Sequence, residues 1–351
     1  MAESDYRVRR FSSLSQQLAM NLQQICYVGM IAYGAFLVSE NQLTLGALIG
    51  CAIIANRALA PIIQLPGVMV QWAHARAALS GLDKIISLPN ETDEGGTALV
   101  PASSTGEVGF DSTRFSYSAE GPPALGIAKL SLRPGEKTGV IGTVGSGKST
   151  LLKLASGLYR PTQGKVYLDA IDMTMIAPAF LRETIAYLPQ EPRLFSGTLR
   201  DNLLLGLPDP GDEALLQVAR KTGLIELISA HPKGLGLPIT EGGRGISGGQ
   251  RQLVALSRVL LAAPKVWVLD EPTAAMDAAT EARIVQLLRE AASEGATLLV
   301  ATHKNALLPL FDRIIVLQAG RVAFDGPRDQ VLERLGGRPG GRDSVQLAKS
   351  T

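Results

Sequence analysis

The run "GTVGSGKS" at 142–149 constrains this chain more than any other stretch. It follows the apolar segment "KTGVI" and leads into "STLLKLASG", so it sits where a strand turns into a helix. In that context G-x-x-x-x-G-K-[ST] is a phosphate cradle: the glycines let successive backbone N–H groups curl around a phosphate. Lys148 reaches the outer phosphate oxygens and the Ser149 hydroxyl is a ligand suited to Mg²⁺. The whole of Gly142, Thr143, Val144, Gly145, Ser146, Gly147, Lys148, Ser149 and Thr150 is therefore a candidate nucleotide-binding segment. A glycine turn serving only the strand–helix junction is the competing reading, and the Lys-Ser pair argues against it.

Around the cradle, apolar runs alternate with helical patterns. "TGVIG", "IAYLPQ", "KVWVLDE" and "ATLLVATH" carry apolar residues in succession, the pattern of strands covered on both faces of a parallel sheet. Helical patterns fall at 148–156, 212–229, 250–263 and 278–294. The expected class is α/β, with a helical insert between the second and third of those strands.

Chemistry gathers at the strand ends. "VWVLDE" ends in Asp270, placed to hold Mg²⁺ through water, and Glu271, placed to polarise an attacking water. The alternative is an acid pair at a helix N-terminus, since "EPTAAMDAATEARI" turns helical. His303 closes "ATH" and Gln190 closes "IAYLPQ", both at the carboxyl edge of the sheet, where such folds bind ligands. Gln190 suits a contact to Mg²⁺ or water. A second anion-holding turn lies at "ISGGQ", 246–250: Ser247 suits an N-cap, and Gly248 and Gly249 leave the first N–H groups of the next helix open.

The first quarter of the chain has a different character. Only 19% of the residues are charged, against 46% hydrophobic, and the apolar excess is at the N-terminal end. No Asp, Glu, Lys or Arg occurs between Arg10 and Glu40. As a helix that gap spans roughly 43 Å, more than a bilayer core. Two membrane spans are expected, about 16–38 and 43–65, joined by the polar turn "SENQ". A cytoplasmic helix follows to residue 88. A hydrophobic hairpin buried in a soluble core is the alternative. Arg7, Arg9, Arg10, Arg76 and Lys84 place both ends of the hairpin in the cytoplasm. The stretch 89–106, rich in Pro, Gly, Ser, Thr and acid, reads as a linker, 107–335 as a globular domain, and 336–351 as a disordered tail. A net charge of +2 gives no support to a nucleic-acid partner, and two cysteines, Cys26 and Cys51, without a Cys/His cluster give none to a structural metal.

Taken in order, these elements resemble the ATP-binding cassette (ABC) family, over about 107–335. "ISGGQRQ" is similar to its LSGGQ signature, with Ile246 for Leu. The resemblance implies ATP and Mg²⁺ as ligands and two copies sandwiching two nucleotides head to tail. In that arrangement Ser247, Gly248, Gly249 and Gln250 of one copy cover the ATP of the other. It also implies that Tyr117 in "FSY" stacks on adenine, though an ordinary strand-end aromatic is a competing reading. Gln190 matches the Q-loop glutamine, Asp277 in "AAMD" the D-loop, and Glu241 in "TEGGRG" the loop facing the transmembrane domain. With Lys148, Gln190, Glu271 and His303 intact, the resemblance implies hydrolysis.

"NRALAPIIQL" and "NQLTLGALIG" are similar to segments of type I secretion exporters. That implies a homodimeric exporter in the bacterial inner membrane, with its ATPase domain in the cytoplasm. It implies a membrane fusion protein, an outer-membrane channel and a secreted protein as partners. Exporters of lipids, drugs or peptides share every catalytic motif and stay open, as do soluble cassette ATPases of DNA repair or translation. The family's four preceding helices are not present, so a fragment or a separately encoded half is expected.

Overall fold

The computed structural model describes residues 2–88, 91, 98–118 and 121–336. The tail expected over 336–351 lies outside them except for its first residue, as does much of the expected linker. Two compact units divide at Asp93/Glu94.

The first unit is a helical hairpin, α1 (Ala2–Ser39) and α2 (Leu45–Ile86). The "SENQ" turn ends α1 with a paired cap: Asn41 takes φ 57°, its N–H donates to Val38 O, and the Gln42 N–H donates to Leu37 O. Thr44 then opens α2, its hydroxyl accepting the Ala47 N–H. The helices meet where Gly34 lacks a side chain and Leu48 takes the space. Most other described apolar side chains of the hairpin, such as Ile25, Phe36 and Ile54, are exposed. Met20–Ser39 is long and apolar enough to cross a membrane, whereas the apolar part of α2 among the described residues is the shorter Leu45–Ala55. Several side chains of the expected 43–65 span lie outside the description. At about 1.5 Å per residue both helices exceed the roughly 30 Å of a bilayer core, so each runs on past it if it spans.

The second unit contains β1 (Val108–Phe115), β2 (Leu125–Leu132), β3 (Lys137–Ile141), α3 (Lys148–Ala155), β4 (Gln163–Leu168), β5 (Ile171–Asp172), α4 (Pro178–Thr184) and β6 (Ile185–Leu188). There follow β7 (Gly197–Thr198), α5 (Leu199–Leu203), α6 (Asp212–Thr222), α7 (Ile225–Ala230), β8 (Pro238–Ile239), α8 (Gly248–Ala262) and β9 (Val266–Asp270). The unit closes with α9 (Ala278–Ser293), β10 (Thr297–Ala301), β11 (Arg313–Gln318), β12 (Arg321–Pro327) and α10 (Arg328–Gly336).

Six strands form a sheet in the order β12-β11-β3-β10-β9-β6. All neighbours in it are parallel except β11 and β12. Every residue of β9 and β10 is buried, which is why their sequences are apolar without alternation. This order brings the carboxyl ends of β3, β10, β9 and β6 to one edge.

The helix expected over 212–229 is two helices. Gly223 takes φ 87° and ends α6, and the Arg283 guanidinium occupies the place a side chain would need. A second, antiparallel sheet, β2-β1-β4-β5, was not foreseen from the sequence. It packs its apolar face on α3 and the parallel sheet in one core with Val108, Leu125, Leu151 and Val268.

Within the expected linker, the described residues 98–106 are fastened to the domain. Leu99 bridges to Ile176. Asp169, in the left-handed two-residue turn between β4 and β5, accepts the N–H groups of Thr105 (2.9 Å) and Glu107 (3.0 Å) and the hydroxyls of Ser104 and Thr105. Burial alone would raise the Asp169 carboxyl, but these bonds outweigh it and hold it below its ordinary range. A depressed folded-state pKa stabilises above the unfolded value and is lost as pH falls through the folded one. Asp169→Ala is therefore expected to loosen 98–107 by roughly 1–3 kcal/mol at neutral pH. Hydrogen exchange at the Thr105 and Glu107 amides measures it. The gap between variant and wild type should close only below the ordinary carboxylate range.

Candidate active site

The loop between β3 and α3 is shaped by backbone geometry. Gly145 and Gly147 take φ 77° and 102°, and Gly147 caps α3 without any side-chain bond, so the first N–H groups of the helix are left to a ligand. A Cβ on Gly142 would lie 2.6 Å from Ser146 Oγ and would also overlap the Leu317 carbonyl, so only glycine fits there. The Ser146 hydroxyl is buried and has no hydrogen-bond partner among the described residues. Lys148 curls back and donates to the carbonyls of Gly142 (2.8 Å) and Thr143 (3.1 Å). Val144 is exposed at the tip. Free amide donors, an orphaned hydroxyl, a cradle that side chains would fill and a lysine at its rim all suit a phosphate chain.

Beside the loop, Asp270 ends β9 and is 3% exposed. Burial pushes its carboxyl up; a hydrogen bond from the Ser149 side chain opposes this, and the adjacent Glu271 charge reinforces it. Ser149 and Asp270 are thus brought together, an oxygen pair of the kind Mg²⁺ takes.

Glu271 stands one residue beyond the strand with φ 50°, a left-handed conformation uncommon for a residue with a side chain. Its N–H donates to Ala301 O (2.9 Å) and its carbonyl accepts from Gln252 Nε2 (3.3 Å). Held this way, the side chain is nearly buried and meets His303 Nδ1 at 2.7 Å from Oε1, while the His303 ring stays largely exposed. Gln190, two residues beyond β6, is exposed on the same edge of the sheet.

Ser247 caps α8 as expected. Its hydroxyl accepts the Gln250 N–H (3.2 Å), and Gln250 Oε1 accepts the Ser247 N–H (3.0 Å). The Gln250 amide oxygen is therefore occupied within the cap. Gly248 and Gly249 lie against Ala275, on the turn after β9. Asp277 caps α9, and the Thr280 N–H, then its hydroxyl, hold the Asp277 carboxyl below its ordinary range. Glu241 accepts the Ser196 N–H at 3.3 Å. Tyr117 is 60% exposed, with its hydroxyl 2.9 Å from Thr150 Oγ1, and stands edge-on to Phe115 and Tyr159. Its open ring face beside α3 suits a stacked base.

Sequence reasoning passed over Gln252, Thr273, Glu281 and Lys304, which brace the Glu271 turn. "HK" at 303–304 was the available signal, but nothing in sequence spacing shows what a lysine there reaches.

Residues 125–274 match the family described as "ABC transporter". The chain is 31% identical over 327 residues to the Toxin RTX-I translocation ATP-binding protein of Actinobacillus pleuropneumoniae, covering 93% of this chain and 46% of that protein. It is 30% identical over 334 residues to the Exotoxin translocation ATP-binding protein PaxB of Pasteurella aerogenes, covering 95% and 47%. The same figures hold for the Leukotoxin translocation ATP-binding protein LktB of Mannheimia haemolytica. The chain spans about half the length of the curated relatives it matches. Its fold is similar to a bacterial Atm1-family ABC exporter solved with ATP bound, with TM-score 0.75 and 24% identity, over 100% of this chain and 60% of that one.

If Tyr117 stacks on a base, Tyr117→Ala should weaken ATP and GTP binding alike by roughly 1–3 kcal/mol, and Tyr117→Phe should restore most of the loss. Equilibrium binding titrations check this; an unchanged affinity returns Tyr117 to a purely structural role.

Proposed function

Because this chain carries the ATPase domain of the ABC transporter family, we propose that it hydrolyses ATP to drive export of a protein across the bacterial inner membrane, working as a homodimer. The observation that carries the hydrolytic part is the Glu271–His303 contact, set beside the Ser149–Asp270 pair on the sheet edge that also bears the phosphate cradle. The export part draws on the apolar Met20–Ser39 helix and on relatives whose names record toxin translocation.

In this reading the amides of Gly145, Gly147 and Lys148 hold the β-phosphate of substrate ATP. Lys148 exchanges its two carbonyl acceptors for phosphate oxygens. Tyr117 stacks on adenine. Ser149 and Gln190, with Asp270 through water, would hold Mg²⁺, which would supply charge neutralisation at the phosphates. Glu271 takes a proton from the attacking water, a form of help typically worth 10²–10⁴-fold. His303 keeps the Glu271 carboxylate turned toward that water. The products are ADP and phosphate.

Ser247, Gly248 and Gly249 serve the ATP of the second copy, as twofold symmetry allows, with Asp277 beside them. The partners are a membrane fusion protein, an outer-membrane channel and a secreted protein substrate.

Glu271→Gln should bind MgATP as wild type does and lose at least about 10²-fold in turnover. In the source bacterium, deleting the gene should remove a large secreted protein from the culture medium. The wild-type gene should restore it and the Glu271→Gln gene should not. Wild-type turnover in the variant would remove Glu271 as the base. An unaltered secretome with altered membrane lipid would point to lipid export instead.

Shared sites make a sharper test. Lys148→Ala and Ser247→Arg should each disable both sites of a homodimer. In a mixed dimer the two defects fall in one site and leave the other whole. Mixing the two inactive proteins should recover ATP-dependent dimerisation. If no ratio recovers it, the signature turn does not serve the neighbouring copy.

A further inference from the structure

The turn that joins β9 to α9, residues 271–277, is gripped from two sides. On one side stands Lys304, the residue after His303. Its ammonium donates to the Thr273 carbonyl at 2.7 Å and pairs with Glu281 at 3.1 Å. The same Glu281 oxygen accepts the Thr273 hydroxyl at 2.8 Å. The Lys304 N–H is itself anchored on Thr302 Oγ1 at 3.0 Å. On the other side lies the signature turn. A Cβ on Gly248 would sit 3.5 Å from the Ala275 Cβ, and a Cβ on Gly249 would come within 2.7 Å of the Ala275 carbonyl oxygen. The turn thus contacts both the residue after His303 and the Ser247 cap of α8.

A largely buried Lys–Glu pair is a poor device for stability alone, because taking both charges out of water offsets much of their attraction. What this pair does is fix a backbone. With the Thr273 carbonyl held by an ammonium and its hydroxyl by a carboxylate, the height of Ala275 under Gly249 is set.

We propose that Lys304, with Glu281, is a positioning residue that sets the signature turn of α8 from the strand end carrying His303. The inference rests on the functional reading above. There, Glu271 and His303 act on the ATP of their own chain while Ser247–Gly249 cover that of the partner. Lys304 then ties the geometry of one nucleotide site to that of the other.

The test uses the full chain in lipid nanodiscs and a double-variant cycle of Lys304→Met with Gly249→Ala. Turnover is read against ATP affinity, the latter measured separately by equilibrium binding. Lys304→Met should lower kcat about tenfold and leave ATP affinity within about twofold, and Lys304→Arg should recover most of the kcat. In the relay, the Gly249→Ala methyl pushes on the same Ala275 backbone that Lys304→Met releases, so the double variant should be about as slow as the slower single one. A double variant slowed by the product of the single effects would overturn the relay, as would an unchanged kcat in Lys304→Met. Lost affinity at unchanged kcat would make Lys304 a ligand contact instead and also overturn it. If Lys304→Met fails to fold, as thermal unfolding would reveal, Glu281→Gln takes its place in the cycle with the same expectations. A wild-type chain without ATPase activity would fell the functional reading as well; an active wild type with multiplicative variants fells this inference alone.

Discussion

At the end of a fully buried strand, Glu271 is held left-handed, and much of the site hangs on how that conformation is secured. A non-glycine residue at φ 50° persists only where its surroundings over-determine it. Here the Glu271 N–H is taken by β10, its carbonyl is taken by Gln252 from α8, and its carboxylate is taken by His303. The distortion turns the chain away from the sheet directly after Asp270. That keeps two adjacent carboxylates at one edge of the sheet with different neighbours: one lies next to Ser149, the other next to His303. An ordinary extended residue at 271 would continue the strand and place its side chain on the opposite face from Asp270. One strained dihedral thus lets neighbouring acids take different duties.

The parallel sheet and its edge were legible because burial on both faces leaves a direct mark on sequence: "VWVL" in β9 and "LLVA" in β10 are unbroken apolar runs. The cradle was legible for a related reason, since close backbone approach demands glycine at fixed offsets. The Ser247 cap was also readable, as caps are local. The second sheet was not. β1 and β4 are half-exposed, their patterns are broken by a bulge between Asp111 and Arg114, and their pairing joins residues 49 to 60 positions apart. The break in 212–229 at Gly223 was missed because an isolated glycine in a helical pattern ends a helix only when something packs into its place, here Arg283.

Within the site, what escaped was the bracing of the Glu271 turn. Lys304, Glu281, Thr273 and Gln252 act on backbone carbonyls and on one another across separations of 8 to 31 residues. No spacing rule announces such contacts, and each residue type is common on any surface. Gln250 illustrates the converse. The resemblance assigns it to a ligand, whereas in the chain by itself its amide oxygen closes the helix cap. A single side chain can satisfy its own helix and still stand at the rim of a site.

The folded-back Lys148 closes the loop between β3 and α3 on its own backbone. The Gly142 and Thr143 carbonyls satisfy its ammonium within the loop itself. Under the proposed function, phosphate capture would be an exchange of partners and not a simple gain. Two neutral acceptors give way to ionised ones, which form bonds about twice as strong. A weakly charged anion offers little net advantage in that trade, whereas a polyphosphate offers several oxygens at once. A loop that offers such a trade would screen its guests by charge density before any base is read.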